Sequence, residues 1–285
     1  TTAQLESLPF LSPYIADLDS VRGNIDISLS LTGPVDYMER SGHIKVKNGK
    51  IYTLLISDPA TSVDGDAYMN HNQLVIQNMR TTLYHSNGKY LEPNSQNTTI
   101  TGAMDFTQFF DPGYNLHVVG NEASFKTLYL DIIGQSNLDV TIVGRDTITI
   151  AGKIEALDAT VFYEFASEEV GTAISEETGP VMSYQINIPI KGTVLFQNSQ
   201  IDAIIIGELS LSQIGFQEMD FGGELFVDDG NVFSYKDNFK GLRGYVSFDN
   251  KGFNPFIDVS AFTMIDNERI NLRINGGIDD LDIAL

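Results

Sequence analysis

The sequence predicts an all-β fold, an elongated curled antiparallel or mixed sheet with one apolar face, and three observations carry that prediction. Apolar and polar residues alternate along most of the chain with the period of two that gives a strand one buried and one wet face. Ile, Val, Thr, Tyr and Phe recur where a helical protein would hold Ala and Leu. The 25 glycines, with many Asn and Asp beside them, separate these runs with turn chemistry.

Taken in order, residues 5–20 are the only helical stretch, held to one short helix around Ser12 to Leu18 by Pro9 and Pro13. The run Asn24 to Leu31 follows, with Ile25, Ile27, Leu29 and Leu31 on one face, and Gly33-Pro34 ends it. Gly42 to Lys47 presents Ile44 and Val46, and Asn48-Gly49 reads as its closing turn. Gln73 to Gln77 and Thr98 to Met104 come next, separated by polar loops, and Phe109 to Asn121 is looser.

The alternation then returns strongly. Leu128, Leu130 and Ile132 form a stripe, followed by Leu138, Val140 and Ile142, then Ile148, Ile150 and Ile154. Val161, Tyr163 and Phe165 align, and Ser167 to Gly179 reads as an acidic loop. Ile186, Ile188 and Ile190 lead into Val194 and Phe196, then Ile201, Ala203 and Ile205, then Leu209 and Leu211. Leu225 and Val227, Val246 and Phe248, Ile257, Val259 and Ala261, and Ile270, Leu272 and Ile274 complete the pattern.

Roughly fifteen short strands result, and as one ladder at ~4.8 Å each they would extend about 70 Å. Such alternation marks a sheet with one apolar face, and with a single short helix available only sheet can cover that face. A closed sandwich or solenoid core and an open groove give the same period. The expected organisation is one continuous β domain over 1–285, with possible sub-units at 1–112 and 113–285. Because Thr1 is not Met and Leu285 ends a strand-like run, we read it as a piece of a longer chain.

The net charge of −21 is concentrated in the second half, where residues 151–285 hold 8 basic and 22 acidic residues against 9 and 16 before them. That field disfavours nucleic acid and anionic membrane surfaces. The absence of cysteine excludes thiol chemistry, disulfides and thiolate metal sites. The four histidines, His43, His71, His85 and His117, lack metal-ligand spacing. Asp64-Gly65-Asp66 hints at calcium, but no Glu completes a twelve-residue loop. Asp228-Asp229 and Asp279-Asp280 are neighbours whose side chains point to opposite faces of a strand. We expect no catalysis, no metal and no cofactor.

Three stretches resemble the AsmA-like superfamily of bridge-like lipid-transfer proteins, and within it the carboxy-terminal part of the TamB family. The first is Leu5-x-x-Leu8-x-Phe10, then Gly23 to Pro34 and Gly42 to Ile51. The second is Leu138 to Ile154, with its paired strands ending in Gly152. The third joins Gly223 to Gly230, Tyr235, Gly244 to Phe248 and the segment Asn254-Pro-Phe-Ile-Asp-Val-Ser-Ala261. The chain departs from the family's pattern in lacking a proline between Val35 and Ser41, and in stopping before the terminal segment offered to an outer-membrane partner.

The resemblance implies a β-taco, or half-pipe, with a greasy interior that carries phospholipid across the periplasm. It implies an anchor in the inner membrane lying outside this segment, and a TamA-like outer-membrane barrel as partner. On this reading the groove is lined by Ile25, Ile27, Leu29, Ile44, Val46, Leu130, Ile132, Val140, Ile142, Ile148 and Ile150. It continues through Val161, Phe165, Ile186, Ile188, Ile190, Val194, Phe196, Ile205, Leu225 and Val227. Val246, Phe248, Ile257, Val259, Ile270 and Leu272 complete it. The rivals are a chaperone-like module for unfolded strands of outer-membrane barrels, a structural β-solenoid with a closed core, and a transmembrane barrel, for which no aromatic girdles are evident.

Overall fold

The computed structural model describes residues 2–5, 18–34, 39–86, 88–108, 111–128, 131–162, 181–233, 238–278 and 280–285. They form sixteen strands: β1 (Thr2–Leu5), β2 (Leu18–Thr32), β3 (Glu39–Thr53), β4 (Ala60–Asn70), β5 (Gln73–Thr82), β6 (Thr98–Asp105), β7 (Gly113–Lys126), β8 (Asp131–Gly144), β9 (Thr147–Phe162), β10 (Val181–Gln197), β11 (Ile201–Ile214), β12 (Asp220–Phe233), β13 (Asn238–Asp249), β14 (Phe256–Ile265), β15 (Glu268–Gly277) and β16 (Asp280–Ala284). Order in the sheet is order in the chain, so every strand lies beside its sequence neighbours. β1 and β16 have one neighbour each, and the sheet is open.

Contacts divide the chain into two units. The first comprises 1–129, 136–152 and 174–183, and the second 130–135, 153–173 and 184–285. In the first, β1 to β7 pair antiparallel throughout. In the second, β11 to β16 do the same. β9 and β10 differ, because they run parallel. The Val181 amide donates to the Asp146 carbonyl, and at the same sequence offset a Cβ on Gly192 would overlap the Leu157 carbonyl. A parallel neighbour needs a long crossover; here the connection is residues 163–180, outside the described residues.

Several expectations change. The helix expected from Ser12 to Leu18 falls on residues outside the described set, except Leu18, which already belongs to β2. Asn48-Gly49 is not a turn. Asn48 adopts φ 50° inside β3, where the register with β4 slips between Val46 and Gly49, so the pair makes a bulge and the strand continues. The segment Ala60–Asn70, expected to be loop, is β4, and much of the loose stretch is β7. Leu128 lies beyond β7 at a bend and is not part of a strand with Ile132. Phe109, Phe110, Leu130, Tyr163, Phe165 and Ser167 to Gly179 lie outside the described residues.

Candidate functional site

Pairing registers turn the alternation into rows that cross the sheet. In the first unit Ile27, Ile44, Ala67, Ile76, Gly102 and Leu116 stand side by side from β2 to β7. Ile25, Val46, Gly65, Met79, Ile100 and Val118 form the next row, and Leu29, Gly42, Met69, Leu74, Met104 and Tyr114 another. All lie on one face, because side chains two apart on a strand share a side. The opposite face carries Asp26, Ser28, His43, Lys45, Asp66, Thr99, Thr101, Asn115 and His117. Its polar contacts, the Lys45–Asp66 ion pair at 3.6 Å and the His43–Asp66 and His117–Asp139 contacts at 3.3 and 2.7 Å, are solvent-exposed. Each contributes at most about 1 kcal/mol.

The second unit repeats the pattern. One row is Ile205, Val227, Gly244, Val259, Ile274 and Ile283; its neighbour is Gly207, Leu225, Val246, Ile257, Gly276 and Leu281. Leu272 pairs with Ala261, Ile270 with Thr263 and Phe248 with Gly223, on the same face. Val259, Ala261, Leu272, Ala203, Phe239 and Leu242 form the best-buried cluster of this unit. Burying each of its larger side chains yields roughly 1.5–3 kcal/mol.

On the strands between, Ile132, Val140 and Ile142 share the parity of buried Gly134 and Ser136 on β8, and Val140 backs onto Gly152. On β9 the buried position shifts from Ile148 to Ala159, so Ile148 and Ile150 share one parity and Val161 the other. On β10 Ile186, Ile188, Ile190, Val194 and Phe196 alternate with exposed Gln185, Lys191 and Thr193.

This apolar face is not sealed. Among the described residues the largest side chain wholly shut off from solvent is Ser136. Exposure rises toward the edges: Ile25 is 7% exposed, yet Leu29 on the same strand is 56% exposed, and Ile283 on β16 is 62% exposed.

In the first unit one end of the face is roofed. The segment from Leu54 to Pro59 crosses to the end of β7, where Ile56 bridges Thr127. There the Ser57 amide donates to the Lys126 carbonyl at 2.8 Å, and the Leu128 amide to Leu55 at 3.0 Å. The Asp58 carboxylate pairs with the His85 ring, and the His85 amide donates to Ser124 Oγ at 3.0 Å. Asn97 clamps the same loop from both sides of Leu83, accepting from its amide and donating to its carbonyl. Val63, Thr81, Thr98, Ala123 and Ser124 are consequently buried there. Sequence reading passed over this strap; the run Leu54-Leu55-Ile56, which breaks the alternation, is the signal that could have found it.

No family model matches the chain, and no curated protein is similar to it. At the other end of the first unit, Arg145 donates to the Asp105 carboxylate at 2.8 Å and to the Asp111 carbonyl. Two hydrogen bonds from Thr107, from its hydroxyl and its amide, hold the Asp105 carboxyl below the usual range, with Arg145 adding to them. Burial pushes the Tyr114 phenol up. Both groups serve the sheet's end. Asp64 and Asp66, considered for calcium, lie on β4, where Asp64 accepts from the Asn48 amide and the Gln96 side chain. Among the described residues no cluster of His, Asp or Glu could hold a metal ion.

Proposed function

We propose that this chain is a segment of a lipid conduit, in which acyl chains lie along the unsealed apolar face and polar head groups stay in water. The single observation that supports this most is the continuity of the rows: apolar residues succeed one another across six neighbouring strands in each unit, yet the face stays partly open to solvent. A face built only for folding would be covered. Burial of each methylene of a tail against it yields roughly 0.8 kcal/mol, so tails can be held without polar contacts. No covalent chemistry or cofactor is needed. On the sequence resemblance, the setting is the bacterial periplasm, with phospholipid as cargo, an inner-membrane anchor outside this segment and a TamA-like barrel as partner.

A second reading, a chaperone-like holder of unfolded barrel strands, draws on the edge strand β16. It pairs only with β15 and exposes Leu281 and Ile283 in alternation with Asp280 and Asp282, a template for strand addition. The experiment that tests the conduit is native mass spectrometry with lipid extraction, comparing the wild type with an Ile150→Asp, Ile188→Asp double variant. Phospholipid bound by the wild type and lost from a folded variant is the expected result. A folded wild type that neither retains phospholipid nor takes up a fluorescent analogue would sink the reading.

A further inference from the structure

The second unit holds another feature on the opposite face of the sheet. There Arg243 on β13, Ser260 on β14 and Arg273 on β15 fall in one cross-strand row. The two arginine Cα atoms are two strand spacings apart, roughly 10 Å, close enough for both guanidinium groups to converge over Ser260. With Tyr245 and Asp258 they line a shallow depression of about 470 Å³, open to solvent. Arg273 is held by the Asp258 carboxylate at 3.4 Å to each oxygen, whereas among the described residues the Arg243 side chain has neither ion pair nor hydrogen bond. The depression therefore presents two positive charges and one negative, in a chain of net charge −21.

Beside it lies exposed apolar surface. Ile206, Phe226 and Tyr245 are neighbours in the next row, and the Phe256 ring sits 6.4 Å from that of Tyr245. Ile206, Phe226 and Phe256 are 42%, 43% and 40% exposed. Three large side chains so placed on a face otherwise dressed with polar groups are unusual for a surface that meets only water.

We propose that this outer face binds an amphiphilic monoanion, a carboxylate carried on an acyl or aromatic body. Arg243 and Arg273 hold the carboxylate above Ser260, and Tyr245, Phe226 and Ile206 take the apolar body. One uncompensated positive charge suits a monoanion better than a phosphate dianion, and the planar guanidinium suits a carboxylate's paired oxygens. The site lies on the face away from the acyl-chain rows, so it stands or falls separately from the conduit reading.

The test is a titration of the whole chain with octanoate, followed by NMR shifts and calorimetry, beside octanol and inorganic phosphate. Saturable octanoate binding with shifts at Arg243, Tyr245 and Arg273 is expected, with octanol and phosphate each at least tenfold weaker. Arg243→Gln, which removes a charged donor but no packing, should weaken octanoate about tenfold, and Phe226→Ser should weaken it by a similar factor. Octanoate binding unchanged by Arg243→Gln, or matched by octanol, would place the ligand on the inner rows and overturn the proposal. No saturable binding at millimolar octanoate would overturn it as well.

Discussion

Gly244 offers the sharpest test of how the sheet is built. It lies between Val227 and Val259 in a row across the second unit, with φ at +147°. A Cβ added there would stand 2.1 Å from the Asp258 carbonyl oxygen and 2.6 Å from the Val259 Cα. Both obstacles are backbone of the adjoining strand, so no side-chain rotation relieves them. Gly244→Ala must therefore shift the strand pair or force the backbone into a region costing about 1–3 kcal/mol for a residue other than glycine. Adding the disrupted packing of buried Val259, we expect a loss of about 2–4 kcal/mol, a melting shift on the order of 10 °C or more for a unit of this size. Gly277→Ala is the control, since nothing lies within 4 Å of its would-be Cβ; it should cost under ~0.5 kcal/mol. Circular dichroism melts suit a chain with no tryptophan, and hydrogen exchange on β13 and β14 peptides localises the damage. Equal stability of the two variants would refute the claim that close strand approach at Gly244 needs glycine.

Two further outcomes follow from burial and charge. Leu272→Ala removes a side chain only 7% exposed and should cost about 2–5 kcal/mol, whereas Ile283→Ala, at 62% exposure, should cost about 1 kcal/mol or less; equal costs in urea unfolding would mean that the face is covered at β16 too. Because the Asp105 carboxyl is held below its ordinary value in the fold, its contribution is present above the unfolded carboxylate range and disappears as pH falls through the folded value. The cost of Asp105→Asn in unfolding midpoints should thus be greatest at neutral pH and shrink progressively as pH falls below the ordinary carboxylate range, and a difference that stays constant with pH would show that its hydrogen bonds do not depend on ionisation.

Strands whose inner positions hold large aliphatics were legible: Ile25, Ile27 and Leu29 on β2 and Ile257 and Val259 on β14 share a face as their spacing implies. β4 was not, because four of its five inner positions, Ala60, Val63, Gly65 and Ala67, are small or β-branched and only Met69 is large. Gly65 and Ala67 are small for a packing reason: they stand in rows between Val46 and Met79 and between Ile44 and Ile76, where large side chains on every strand would crowd the row. β7 was hidden by glycine at Gly113 and Gly120 and by Val118-Val119, which blurs the alternation. Asn48-Gly49 misled because a bulge and a hairpin turn demand the same left-handed backbone. The alternation allows an antiparallel or mixed sheet without showing which pair departs from antiparallel; the Val181–Asp146 hydrogen bond and the Gly192–Leu157 approach assign that departure to β9 and β10. The strap at Leu54 to Pro59 and the row Arg243–Ser260–Arg273 depend on register and long-range contact, which one-dimensional pattern does not encode.

The roof over one end of the first unit bears on why the apolar face stays open elsewhere. A sheet of sequence-neighbouring strands has no second layer of its own, so its apolar face is covered only where loops fold back onto it. In the first unit the residues between β3 and β4 and between β5 and β6 do this, and burial there is near complete around Val63 and Ala123. The turn between β4 and β5 is only His71 and Asn72 and covers nothing, and at the same end of the unit Leu29 and Leu31 on β2 are 56% and 60% exposed. The face is thus sealed where a loop folds back onto it, as Leu54 to Pro59 does. On the conduit reading, acyl chains supply the missing cover, and the strap sets a limit to it. A ligand bound along the rows of the first unit would then protect peptides around Leu29, Leu74 and Met104 from hydrogen exchange while leaving those around Val63 and Ala123 as they are, because the latter are already shielded by their own chain.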